Sequence, residues 1–156
     1  MQSKRNDKRY RPTGARQGFS LVELMVVLVI LAILAAIEYP SYLESVRKTR
    51  RAEGRAALMQ LMQQQERHYS QNGSYIAFSS TAPNGYQWFS GNTPASSSYE
   101  IVATACKEDT LDNCILLIAE PGTKNVNAAH KDDACGELSL SSNGIKAAAG
   151  PGTQCW

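Results

Sequence analysis

Several arrangements that would announce an enzyme are missing from this chain. Its 156 residues contain no CxxC pair, no GxSxG, no glycine-rich phosphate loop and only two histidines, His68 and His130. These absences remove the usual spacings of zinc centres, serine nucleophiles and nucleotide cradles. No cysteine occurs before Cys106, and from Phe19 to Ile37 the only charged residue is Glu23. No A-x-A site follows that apolar stretch in a form that would free a mature start. The stretch also exceeds the roughly 7–15 apolar residues of an ordinary secretory signal. Asp132-Asp133 near His130 suggests acid–base or calcium chemistry at most, and a turn before Cys135 reads better. No catalytic residue, metal or cofactor is therefore expected.

What is present is unevenly distributed. The length suits one domain, and 43% of the residues are hydrophobic, but many of these lie in Phe19–Ile37. The remainder supplies a modest core, and small cores often need covalent staples. Charge is uneven too. In Met1–Gly18, six basic residues (Lys4, Arg5, Lys8, Arg9, Arg11, Arg16) oppose Asp7, a net +5. With a formal charge of +2 overall, the chain from Phe19 onward is −3. Within 70–156, four lysines face eight acids. An acidic balance argues against nucleic acid as a partner, because phosphate attraction dominates sequence-independent binding. The four cysteines, Cys106, Cys114, Cys135 and Cys155, all lie in the last third. Two disulfides fit them better than a metal site, which places this part of the chain in an oxidising compartment.

As a helix, Phe19–Ile37 would be about 28 Å long at about 1.5 Å per residue, close to a hydrocarbon core of about 30 Å. Glu23 is costly in lipid and points to a function; snorkelling at the interface is the alternative. It lies four residues after Phe19. A cut between Gly18 and Phe19 would create an α-amino group one helical turn away, and pairing Glu23 with such an amine on a neighbour would favour side-by-side assembly.

A basic leader, then Gly18-Phe19-Ser20-Leu21-Val22-Glu23-Leu24, an apolar run, and Tyr39-Pro40-Ser41-Tyr42 together resemble the class III signal sequence of type IV pilins. The resemblance implies cleavage after Gly18 by a prepilin peptidase, N-methylation of Phe19, and an assembly role for Glu23. Basic residues flank both ends of the span, so the positive-inside rule decides weakly. The denser leader and the cysteines favour a cytoplasmic N-terminus.

Beyond Pro40 the pattern becomes amphipathic, with apolar positions recurring every three or four residues to Tyr69. Pro40 removes the bond to the Ala36 carbonyl and is expected to kink the helix. Gly54 costs about 1 kcal/mol relative to Ala and has no explanation at this level. Asn72-Gly73 suits a helix stop, and that reading is preferred to a glycosylation sequon at Asn72-Gly73-Ser74. The charged stretch Arg47–Arg55 reads as a solvated face, or as a partner for neighbouring acids or anionic headgroups. The segment RKTRRAEGRAALMQLMQQQERHYSQNGSY is similar to PilE-type minor pilins.

Residues 75–98 read as a loop whose aromatics anchor it. Strands are expected at Tyr99–Ala105, Ile115–Glu120, Gly136–Ser142 and, after an Asn143-Gly144 turn, Ile145–Ala148. The fold class is therefore α+β: a long N-terminal helix whose C-terminal half packs on an antiparallel sheet, as in type IV pilins. Four cysteines allow three pairings. Cys106–Cys114 would close a hairpin, and Cys135–Cys155 would tie the last hairpin to the tail, a loop worth roughly 3 kcal/mol. The C-terminal region resembles the disulfide-bounded end of PilE-type pilins.

The organisation expected is a leader (1–18), a transmembrane or filament-core helix (19–39), an amphipathic helix (40–72) and a sheet domain (73–156). The function implied is a non-enzymatic type IV pilus subunit, more minor than major, serving pilus biogenesis, twitching, adhesion or DNA uptake. A type II secretion pseudopilin or a ligand- or DNA-binding minor pilin is the alternative. Partners implied are the major pilin, other minor pilins, prepilin peptidase and the inner-membrane assembly platform. The chain would sit in the inner membrane before assembly, with its C-terminal domain periplasmic, and in the extracellular pilus afterwards.

Overall fold

The computed structural model describes residues 18–156; the leader, apart from Gly18, lies outside them. Two compact units divide the chain, Met1–Ser41 and Tyr42–Trp156. One helix, α1 (Leu21–Asn72), contributes residues to both, Pro40 among them.

In the first unit α1 begins with the Leu24 N–H donating to the Ser20 carbonyl at 3.2 Å. Glu23 lies in the first turn, where the positive end of the helix dipole favours an acid. The apolar side chains that follow are all exposed, Leu28 by 65% and Ile30 by 52%. Their mean hydropathy reaches 2.8 over an 18-residue window, long and apolar enough to cross a membrane.

The second unit is built on a stripe of α1. Arg51, Gly54, Leu58, Leu61 and Gln65 are buried, a spacing of three and four that keeps one face inward. Asn72 Nδ2 donates to the His68 carbonyl, and Gly73 (φ +73°) donates its N–H to the Tyr69 carbonyl at 2.8 Å. That left-handed residue ends the helix.

Four strands follow, β1 (Tyr99–Ala105), β2 (Ile115–Pro121), β3 (Leu138–Ser141) and β4 (Lys146–Ala148), an antiparallel meander in the order β1-β2-β3-β4. Tyr99, Ile101 and Ala103 on β1, Ile115, Leu117 and Ala119 on β2, and Leu138 and Leu140 on β3 form the buried face with Leu58 and Leu61. The β3–β4 turn closes at Gly144 (φ +79°), whose N–H donates to the Ser141 carbonyl.

Residues 75–98 border the free edge of β1. Phe78 pairs with Ala103 and Phe89 with Glu100 as isolated bridges, and the Ile101 N–H donates to the Trp88 carbonyl at 2.7 Å. Tyr75 and Phe78 are core residues, and Tyr86 and Trp88 pack against that core. These contacts hold the loop against the sheet although its composition is that of a loop.

Gly54 finds its reason here. A Cβ at this position would lie 2.9 Å from a ring carbon of Tyr99, so glycine lets the helix and β1 approach at that ring.

Candidate functional site

The residues singled out for processing and assembly occupy the N-terminal end of the described chain. Gly18 and Phe19 are exposed, Phe19 by 76%, immediately before α1. Glu23 is exposed in the first turn of α1 and makes no ion pair among the described residues. Pro40 lies in α1.

The four cysteines form two bonds, Cys106–Cys114 and Cys135–Cys155, each with Cα atoms 5.5 Å apart. The first closes the β1–β2 connection, which also docks on the end of the helix. The Tyr75 N–H donates to the Leu111 carbonyl at 2.8 Å and the Tyr69 hydroxyl to the Asp112 carbonyl at 3.0 Å. The second joins the segment before β3 to the C-terminal tail, with both cysteines buried.

That segment carries a buried ion pair. Arg51 donates to Asp132 through Nε (2.9 Å) and Nη2 (2.7 Å), a two-pronged contact between residues 81 positions apart. The Tyr99 hydroxyl donates to Asp132 Oδ2 at 2.7 Å and the Cys135 N–H to Oδ1 at 3.2 Å. Burial opposes the charge on Asp132, but the donors from Arg51, Tyr99 and Cys135 outweigh it and hold the carboxyl below its ordinary range. The Asp132 contact raises Arg51, and burial, with the hydrogen bond to Asp132, raises the Tyr99 phenol. The expected turn before Cys135 exists, yet Asp132 also anchors this turn to α1. Within Arg47–Arg55, Arg51 is buried and departs from the solvated-face expectation, whereas Arg47 and Lys48 are exposed. The signal was present: one step back from Gly54 along the buried stripe falls on Arg51.

Beside this pair, His130 packs edge-on to Tyr99 with ring centroids 5.3 Å apart, and its Nε2 is buried with no hydrogen-bond partner. Burial lowers its basicity, and Arg50, Arg47 and Arg51 add to that effect against the opposing field of Asp132. Elsewhere Gln65, fully buried, exchanges two hydrogen bonds with the backbone of Ile76 (2.7 and 2.9 Å), as a neighbouring strand would. Glu100 is buried among Thr123 and Asn125 donors. Such saturated groups have structural rather than reactive character. No cluster of three or more metal-ligating side chains occurs among the described residues.

The family described as type IV minor pilin ComP, DNA uptake sequence receptor, matches residues 40–139, more than half of the chain. The prokaryotic N-terminal methylation motif matches residues 14–37. A type IV pilin from Shewanella oneidensis is 27% identical, covering 70% of this chain and 97% of that one, with a TM-score of 0.46. The Neisseria meningitidis non-core minor pilin PilV is 22% identical, covering 71% and 94%, with a TM-score of 0.47. No curated protein matches the chain in sequence. An apolar helix behind a methylation motif, a four-stranded sheet and a family match from residue 40 to 139 lead to one conclusion: the chain belongs to the type IV minor pilins, structural subunits of the pilus.

Proposed function

We propose that the chain is inserted in the inner membrane by residues 19–39, cut between Gly18 and Phe19 by a prepilin peptidase, methylated at Phe19, and then moved into the fibre through the inner-membrane assembly platform. The helix joins the major pilin and other minor pilins, Glu23 neutralises the terminal amine of a neighbour, and Pro40 sets a bend. The sheet domain is periplasmic before assembly and extracellular after it. One observation carries this reading: the exposed apolar stretch of α1 holds a single acid in its first turn, within the N-terminal methylation motif. Exposed apolar side chains of this extent need lipid or partner helices. Mass spectrometry of sheared filaments tests it, with a chain beginning at methylated Phe19 as the result expected. Glu23→Ala should remain membrane-bound and folded but enter filaments poorly; incorporation at the wild-type level would contradict the role of Glu23.

A second reading concerns DNA. The matching family is described as a DNA uptake sequence receptor. The acidic average of the domain speaks against nucleic acid, but binding depends on local charge. Lys48 and Arg55 line a cleft with Thr153, Gln154 and Trp156 in which no acidic side chain takes part, and Lys146 Nζ lies 5.4 Å from the Trp156 ring. Cations beside an aromatic ring suit a nucleic-acid backbone. Gel shifts of the full chain with duplex DNA across a salt series test this. Replacing Lys48, Arg55 and Lys146 by alanine should flatten the salt dependence by about 0.9 log unit for each phosphate no longer neutralised; an unchanged slope removes the cleft from consideration.

A further inference from the structure

On the opposite flank of the same helix lies a groove of different chemistry. Its inner part, about 140 Å³, is lined by Ala57, Leu61, Gln64 and Phe89 together with Glu53 and Gln60. It opens outward into a wider space of about 740 Å³ that shares Glu53, Gln60, Gln87 and Ser90 and adds Arg50, Asn92 and Ser96. The outer part lies in the range of small-ligand sites, about 300–1,000 Å³.

The groove is built rather than incidental. Gln87 uses both hydrogens of its amide inside the loop, donating to the carbonyls of Phe89 and Gly91 at 2.8 Å each. Its Oε1 is thereby held in place with no partner among the described residues. Glu53 accepts from Arg50 through Oε2 at 3.1 Å. Its Oε1 lies 2.6 Å from where a Cβ on residue 91 would stand, so Gly91 keeps that position clear. Phe89 is half-buried and fixed edge-on against Trp88, with centroids 5.1 Å apart. Gln60 and Gln64, one helical turn apart on α1, are exposed on the other wall and make no side-chain hydrogen bond among the described residues.

Charge and polarity narrow the occupant. Arg50 and Glu53 are the only charged residues in the lining and they neutralise each other, so nothing favours a phosphodiester or another polyanion. Apolar surface is limited to Phe89, Leu61 and two alanines, too little for a lipid chain or for the aromatic anchors of a protein partner. The remainder is amide, hydroxyl and carboxylate oxygen, a mixed set of donors and acceptors beside one aromatic face. Hydroxyls that both donate and accept satisfy such a set, and an apolar C–H face satisfies the ring. We propose that this groove binds a neutral saccharide, its hydroxyls bonded to Gln60, Gln64, Gln87 and Glu53 and one ring face resting on Phe89. This goes beyond the pilus role and does not depend on the DNA reading, which concerns another cleft.

The full chain, held in a detergent without a sugar headgroup, should be retained by immobilised neutral glycans ending in lactose or N-acetyllactosamine. Gln60→Ala/Gln64→Ala removes two exposed helix amides and leaves the buried stripe intact; unchanged thermal unfolding confirms its fold. Its binding should fall roughly tenfold or more, since each ligand hydroxyl loses its partner. Gln64→Trp, which fills the groove, should abolish binding. Free glycan should compete, and duplex DNA should not. Absence of retention on every neutral glycan at millimolar sites, retention of sulfated glycans alone, or wild-type binding by the folded double variant would each overturn the proposal.

Discussion

Replacing Asp132 by asparagine isolates the charge at the centre of the second unit. The shape of the side chain is kept, while the anion facing Arg51 is lost. Arg51 and Asp132 side chains are 6% and 0% exposed, so solvent cannot compensate the guanidinium. Removing one partner of a buried pair destabilises by about 3–5 kcal/mol, a large part of the roughly 5–15 kcal/mol of a whole domain. For a unit of this size the midpoint should drop by on the order of 10–20 °C. The double replacement Arg51→Met/Asp132→Leu removes both charges. It leaves the Tyr99 hydroxyl and the Cys135 N–H without their acceptor, about 1–3 kcal/mol for each group left unpaired. It should nevertheless recover part of the loss, because neither charge remains buried alone. Thermal and denaturant unfolding of the full chain, followed by near-UV circular dichroism, reads both. The same contacts set a pH window. The folded carboxyl titrates below its unfolded value of 3.8, so its contribution is complete above that value and is lost as the pH falls through the lower folded one. If Asp132→Asn unfolds within about 1 kcal/mol of the wild type, well short of the roughly 3–5 kcal/mol of a broken buried pair, the pair does not hold the C-terminal turn to α1 in the way its geometry implies.

Three other outcomes can be measured on the same material. Gly54→Ala should destabilise or at best break even: helix propensity gains about 1 kcal/mol, whereas crowding against the Tyr99 ring costs about 1–3 kcal/mol; a melt showing the full propensity gain contradicts the close approach. Removing Cys106–Cys114, a separation of 8, should cost about 2.5 kcal/mol, and removing Cys135–Cys155, a separation of 20, slightly more than 3 kcal/mol on the loop-closure estimate; denaturant midpoints that reverse this order would count against it. His130 is held below its ordinary 6.5 first by burial and then by Arg50, Arg47 and Arg51, with Asp132 opposing. The unfolded chain therefore takes up that proton more readily, so stability should decline as the pH falls below 6.5 and level off below the folded value. His130→Gln should flatten that decline, and an unaltered pH profile would show that the ring does not titrate in this way.

Local and periodic features were legible in the sequence, and so were the two cysteine pairings; the contacts of Arg51 with Asp132 and of Gly54 with Tyr99 were not. The apolar run, the amphipathic stripe and the alternation of β1 report single elements, so neighbouring residues carry their signal. Gly73 and Gly144 could be placed because a positive φ is a local requirement. Gly54 could not, since its reason is a ring on a strand 45 positions away. Arg51 lay in a run of arginines that composition assigns to solvent, and only its phase along the stripe distinguishes it. Asp132 looked like a turn residue because turn and ion pair use the same side chain. The two clefts were invisible for a similar reason: each joins helix residues to a loop or tail far along the chain.

The chain carries two carboxylates with opposite requirements, and the contrast bears on how a subunit of this kind works. Asp132 finds its cation, its phenol and its backbone donor within the same unit, so its energy contributes to folding and is present before any partner arrives. Glu23 lies in an apolar stretch and pairs with no cation among the described residues. In lipid or in a helical bundle, an unpaired acid is unfavourable by a few kcal/mol. On the proposed reading, the amine released at Phe19 answers that need, either one turn away on the same chain or on a neighbour. Pairing within the chain would leave assembly indifferent to Glu23, whereas pairing across chains makes entry into the fibre depend on it. Co-expressing Glu23→Ala with the wild-type chain separates the two. Selective exclusion of the variant from shared filaments supports pairing between chains, and equal entry refutes it.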